Sequence, residues 1–282
     1  MPYPDLPQPE EAAPRSPRRT LSVCAALLLV PTAAFAAQPA QPPQTTVEAQ
    51  EAAYEHCMEL AKTDPGAARD MAAKWAAQGG AHPADHCYAV ALIGLKQYKP
   101  GAQRLDKLAE AMLTVAPDSL RAEVLDQAGQ AWLLAGDAQR AYNDAGAAVA
   151  LAPGNPDILI DRAEAAGEAG WFDKAVADLD IVLKADPRRV DALIYRATAY
   201  RALGKLGPAL ADADAAVHLA PNSAQAVLER GNIRGLKGDA EGAQQDWRMA
   251  MELAPGSAAA LAAKANLAHR VTPPASPPAP SK

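Results

Sequence analysis

Aromatic side chains are scarce in this sequence: they make up 5% of its 282 residues, and only two are phenylalanine. Alanine supplies much of the 50% apolar content instead. It is the best helix former and lets helices approach closely, which suits stacked helices better than a large β-core. An excess of basic charge is missing too. The formal charge is −6, and a phosphate footprint needs clustered lysine and arginine, so nucleic acid is not expected as a partner. No run of 18 or more apolar residues occurs, which excludes a predicted membrane-spanning helix. The GxxxxGK[ST] phosphate loop, the GxSxG elbow and the HExxH zinc motif are all absent. His218 and His269 stand apart from any fitting nucleophile, and Glu164 and Glu168 lie one helical turn apart, as on a solvated helix face. Neither catalysis nor a cofactor is expected.

What is present begins with Arg15, Arg18 and Arg19 ahead of the apolar run Leu21 to Val30, then a small-residue stretch ending in Ala34-Phe35-Ala36. A basic region, a short apolar region and an A-x-A site describe a secretory signal peptide over residues 1–36, cleaved after Ala36. Pro31 disfavours reading the run as a short buried helix. Arg18-Arg19 is a poor twin-arginine match, and the apolar run follows Cys24 rather than preceding it, against lipid attachment there. Residues 37–46 and 271–282 read as Pro-rich, disordered linker and tail. The expected address is the bacterial periplasm or the exterior.

Between these tails the chain repeats itself. Gly136, Gly170, Gly204 and Gly238 stand 34 residues apart, and Pro153, Pro187, Pro221 and Pro255 keep the same interval. Ala141, Ala175, Ala209 and Ala243 repeat in phase, as do Asp144, Asp178, Asp212 and Asp246. A period of this size signals a solenoid of two-helix units, since one hairpin cannot bury its apolar face alone. Glycine closes the first helix in a left-handed cap, the small residue sits where helices cross closely, and proline stops the second helix.

Residues 193–204 read Leu-Ile-Tyr-Arg-Ala-Thr-Ala-Tyr-Arg-Ala-Leu-Gly, followed by Ala209-Leu-Ala-Asp-Ala-Asp214 and His218-Leu-Ala-Pro221. This pattern resembles tetratricopeptide repeats, and residues 228–255 repeat it with Arg230-Gly231, Gly238, Ala243, Trp247 and Ala254-Pro255. The resemblance implies an all-α, right-handed solenoid of about six antiparallel helix hairpins plus a terminal capping helix, over residues 47–270. The clear repeats are 122–155, 156–189, 190–223 and 224–257, and divergent hairpins occupy 47–82 and 84–116. Pro83 and Pro117 are taken as in phase, with a two-residue insertion between Pro117 and Pro153. The family architecture places the first helix of each unit on the concave face. Groove candidates are then Gln130, Leu133, Asp157, Ile160, Glu164, Asp191, Ile194, Thr198, Arg201, Gln225, Leu228, Asn232 and Leu236. The Lys/Asn clamp that some members use for carboxyl-terminal peptides is not recognisable.

After signal cleavage two cysteines remain, Cys57 and Cys87. An isolated pair in an exported protein reads as a disulfide, and the repeat phase puts the two on neighbouring first helices. Free thiols are an alternative. So is a metal site built from His56-Cys57 and His86-Cys87, although adjacent helical residues point about 100° apart and would hardly share one ion. Arg162, Arg196 and Arg230 form a further column in register with the aspartates, as interhelical Arg–Asp pairs or as cations lining the groove. The function these features imply is a non-catalytic protein-interaction scaffold of the cell envelope that binds a peptide or protein segment in the groove. The alternative is an adaptor subunit of an envelope assembly that docks through convex or edge surfaces.

Overall fold

The computed structural model describes residues 47–270, so the expected signal peptide, linker and tail lie outside the described residues. Thirteen helices and no strand occur among the described residues. They pair as six hairpins: α1 (Val47–Thr63) with α2 (Pro65–Ala77), α3 (Ala81–Gly94) with α4 (Tyr98–Ala111), α5 (Asp118–Leu134) with α6 (Ala138–Leu151), α7 (Pro156–Glu168) with α8 (Phe172–Ala185), α9 (Val190–Ala202) with α10 (Leu206–Leu219), and α11 (Ala224–Leu236) with α12 (Ala240–Leu253). The last helix, α13 (Ala258–Arg270), packs on α11 and α12 and caps the stack.

The glycine column performs one backbone task. Gly136, Gly170, Gly204 and Gly238 take φ between 73° and 88°, the left-handed region that a residue without Cβ enters freely. Beyond each, an amide reaches back to close the helix: Asp137 N to Trp132 O at 2.9 Å, Trp171 N to Ala166 O at 2.7 Å, Lys205 N to Tyr200 O at 2.8 Å. The prolines follow the ends of α6, α8, α10 and α12 by two residues, where they bar continuation. The next helices start on side-chain caps: Asn155 accepts from Asp157 N, and Ser223 from Ala226 N.

Small residues set the packing distance. Ala141, Ala175, Ala209 and Ala243 are all buried. Opposite them, a Cβ at Gly129 would lie 3.1 Å from Ala141 O, and one at Gly231 would lie 2.9 Å from the Trp247 indole. Larger side chains fill the remaining space in layers: Leu159, Leu179, Val182 and Leu193 at the centre, Leu105, Leu108 and Val124 toward the amino terminus, and Val227 with Trp247 toward the carboxyl terminus.

Arginine forks tie the two helices of a hairpin together. Arg162 donates to Asp178 at 2.8 and 2.6 Å, Arg196 to Asp212 at 2.8 and 2.9 Å, and Arg230 to Asp246 at 3.0 and 2.7 Å. All three aspartates are buried, so the arginine column serves helix pairing.

The amino-terminal half departs from the expected phase. Pro83 lies inside the first turn of α3, and Pro117 is the residue immediately before α5, so neither marks the end of a second helix. The second hairpin therefore starts at Ala81 and not at 84. Its left-handed turn residue is Lys96, at φ 60°. Forty residues separate Lys96 from Gly136, six more than the period, where the prolines suggested two. The extra length goes into the α4–α5 connection and into α5, which has 17 residues against 13 in α7, α9 and α11.

Cys57 and Cys87 meet in the geometry of a disulfide, their Cα atoms 6.1 Å apart, which fits the expected pairing. Reduction of the full chain is expected to destabilise the first two hairpins by about 3.5 kcal/mol on the chain-entropy account of a 30-residue loop. Alkylation without reductant, read by mass, leaves both sulfurs unmodified; labelling of both would refute the bond. Separately, Asp212→Ala leaves the Arg196 guanidinium with Asp180 alone and should lower unfolding stability by about 2 kcal/mol, measured in urea.

Candidate binding groove

Successive first helices touch one another directly at α1–α3, α5–α7, α7–α9, α9–α11 and α11–α13, whereas successive second helices are held apart. Such a stack bends with its first helices on the inner side. Three columns spaced by the period then face that side: Glu123, Asp157, Asp191 and Gln225; Gln127, Asp161, Tyr195 and Glu229; Gln130, Glu164, Thr198 and Asn232.

Polar bonds run from unit to unit along these columns. Tyr54 Oη and His86 Nδ1 lie 2.8 Å apart, and His86 Nε2 and Gln127 Oε1 lie 2.7 Å apart. In the neutral ring the proton sits on Nε2 and goes to Gln127 Oε1, while Nδ1 accepts from Tyr54 Oη. Burial, first of all, lowers the His86 pKa and keeps the ring neutral, against the opposing effects of Gln127 and Glu123. Gln130 Nε2 reaches Asp161 at 2.7 Å and Asp126 at 3.2 Å, linking α5 to α7. Tyr195 on α9 lies beside Glu164 on α7. Burial raises the Glu164 carboxyl and keeps the Tyr195 phenol protonated, helped by the neighbouring carboxylates. Arg189 forks onto Asp191 at 2.7 Å and spans to Asp157.

The centre of this face is acidic. Glu123, Asp126, Asp157, Asp161, Glu164 and Asp191 lie along α5, α7 and α9, and Arg189 answers two of them. Asp126 is pushed up to about 7, by burial first and then by the neighbouring Asp161 carboxylate. Beside the α8–α9 turn an open hollow of about 470 Å³ is lined by Arg189, Asp191, Ile194, Tyr195, Ser223 and Gln225.

Each expected groove residue now has a place. Gln130, Asp157 and Gln225 are exposed, and Glu164 and Asp191 are half-buried at the surface. Ile160 packs in the core, and Ile194 joins that core while flooring the hollow. Leu133 and Leu228 pack against core clusters, and Leu236 is exposed at the end of α11. Thr198 donates to its own helix at Ile194 O. Arg201 and Asn232 are engaged within the fold: Arg201 grips buried Glu229 at 2.6 Å, and Asn232 accepts from Trp247 and Asn266 at 3.0 and 2.8 Å. The column with Gln127, Asp161 and Tyr195 escaped the sequence reading, which chose Ile160, Ile194 and Leu228 one residue earlier. One residue is 100° round a helix, enough to turn a groove position into a core position. The 34-residue spacing of polar types at 127, 161, 195 and 229 carried the signal.

A stack of paired helices like this one matches known structures. MamA (residues 41 to the end) from Desulfovibrio magneticus RS-1 superposes with a TM-score of 0.53 at 20% identity, over 61% of this chain and 94% of that one. A thermophilic TPR protein from Thermus thermophilus superposes with a TM-score of 0.54 at 18% identity, over 68% and 99%. The chain has the tetratricopeptide-repeat fold. No protein-family model and no curated protein matches the sequence. Likeness at this identity carries the tetratricopeptide architecture, and the lining of the groove is this chain's own.

The carboxyl pair gives a direct test. In a carbon-13 titration, Asp126 is expected to titrate near pH 7, and Asp161→Asn should bring its midpoint down toward the ordinary carboxylate range. A midpoint that stays put in the variant would remove Asp161 as a cause.

Proposed function

We propose that this protein is an exported, non-catalytic scaffold of the bacterial cell envelope that holds a segment of another protein in its tetratricopeptide groove. The observation that carries this reading is the inner face itself: three polar columns presented in register by α5, α7 and α9, with a hollow at one side. Export rests on the signal-like sequence of residues 1–36 and on the cysteine pair. The excess of carboxylates favours a segment bearing lysine or arginine. Such contacts at a wet surface are individually weak and screened by salt, so affinity falls with ionic strength.

A second reading has an observation of its own. Leu113 and Val115 in the α4–α5 connection and Leu120 at the start of α5 are exposed apolar residues along one edge, as an adaptor docked on a larger assembly would present.

One experiment separates the two. A photo-crosslinking residue is placed at Gln130 or at Val115 in intact cells. The groove reading expects capture of a discrete protein from Gln130, reduced at least tenfold by Glu164→Lys with Asp191→Lys. Capture from Val115 alone would favour edge docking, and capture from neither position would sink both.

A further inference from the structure

Counted from the left-handed turn residue of each hairpin, the charged positions keep fixed addresses. An arginine stands eight residues before the turn at Arg162, Arg196 and Arg230, and an aspartate eight residues after it at Asp144, Asp178, Asp212 and Asp246. A second aspartate stands ten residues after the turn at Asp106, Asp180 and Asp214. The geometry shows why two aspartates are kept. Arg196 lies between Asp212 on its own hairpin, at 2.8 Å, and Asp180 on the preceding hairpin, at 2.7 Å. Arg230 lies between Asp246, at 2.7 Å, and Asp214, at 3.6 Å. One guanidinium thus joins two hairpins.

At the junction of the second and third hairpins both acidic arms are present and the arginine is missing: eight residues before Gly136 stands Ala128, fully buried. Asp106 on α4 and Asp144 on α6 come within reach of each other across its place. Trp132 on α5 donates its indole N–H to Asp106 Oδ2 at 3.1 Å. Asp106 Oδ1 and Asp144 Oδ2 are both buried, and no hydrogen bond reaches either. Two ionised carboxylates carry acceptors only, so a single proton on one of them would satisfy both orphaned oxygens. The other charged groups facing the pair are Glu110 on α4 and Asp137 and Arg140 on α6. Arg140 bonds Asp137 and lies over the Trp132 ring at 4.5 Å.

We propose that this junction is a proton-operated clasp: one proton shared by Asp106 and Asp144 takes the place of the missing guanidinium, fastening the second hairpin to the third in mildly acidic surroundings and releasing that grip as the pH rises. Burial and mutual repulsion push Asp144 up to about 7, and burial raises Asp106 as well. The folded pair therefore binds its proton more tightly than the open chain does. Stability contributed by the clasp falls as pH climbs from the ordinary carboxylate range to about 7, and it levels off above.

The test is hydrogen exchange of the full, oxidised chain, read on fragments of α4 to α6 between pH 5 and pH 8.5 after correction for intrinsic exchange. The opening constant of these helices is expected to rise roughly tenfold per pH unit up to about pH 7 and then to flatten. Asp144→Asn supplies a permanent donor and should abolish that slope while fragments of α9 and α10 keep their wild-type behaviour. Asp106→Asn serves as the independent variant should the first fail to fold. A carbon-13 titration of the wild-type carboxyls completes the test. If both aspartates titrate below pH 5, or if the slope survives both variants, the clasp is refuted.

Discussion

Everything in this molecule depends on helices crossing at a distance that only small side chains allow. Ala141, Ala175, Ala209 and Ala243 sit at the crossings with almost no exposure, and Gly129 and Gly231 face their partners too closely to carry a Cβ without displacement. Close crossing brings a cost in surface, because an alanine face buries little apolar area per residue. One hairpin therefore has too little core to stand alone, and each must complete its neighbour. The inner face is a consequence of that stacking. Outside the α3–α5 step, first helices touch their counterparts in the next unit, so their polar columns become continuous across hairpins.

An alanine-lined stack has a second problem, which is register. Faces of similar small residues slide past each other with little penalty, so apolar packing alone discriminates poorly between alignments. The arginine forks solve this. A guanidinium donating to both oxygens of one buried aspartate is satisfied in a single alignment, and any slip strands a charge away from water. Arg196 and Arg230 extend the same constraint across hairpins through Asp180 and Asp214. The ladder is therefore structural, although its cations lie on the same helices that line the groove.

Regularity made the fold legible in the sequence, and irregularity hid the rest. Glycine at the left-handed closures and proline beyond the second helices announced four hairpins directly, because few other residues serve there. The second hairpin makes the same closure with Lys96, which no composition rule would select. Pro83 and Pro117 fell near the expected interval while doing different work, one in a first turn and one just ahead of a helix. The groove was legible to within one residue. Asp157, Glu164 and Asp191 could be read from phase, but Ile160 and Ile194 lie 100° from the polar column that replaces them, and no periodicity argument distinguishes adjacent columns without knowing where the neighbouring helix lies.

The departures from the repeat gather at one place. On one side the first two hairpins are joined by Cys57 and Cys87; on the other the last three carry Arg–Asp forks. Between them come the six additional residues, the longer α5, and alanine where an arginine would lie. In a quasi-one-dimensional array, stability is a sum of units and of the interfaces between neighbours, so weakening a single interface divides the array without melting it. The His86–Gln127 bond crosses that same interface on the inner side. Any change in how the second and third hairpins meet is thus felt at the groove, because the row of polar contacts from Tyr54 to Gln127 must cross the junction to reach the acidic centre on α5 and α7.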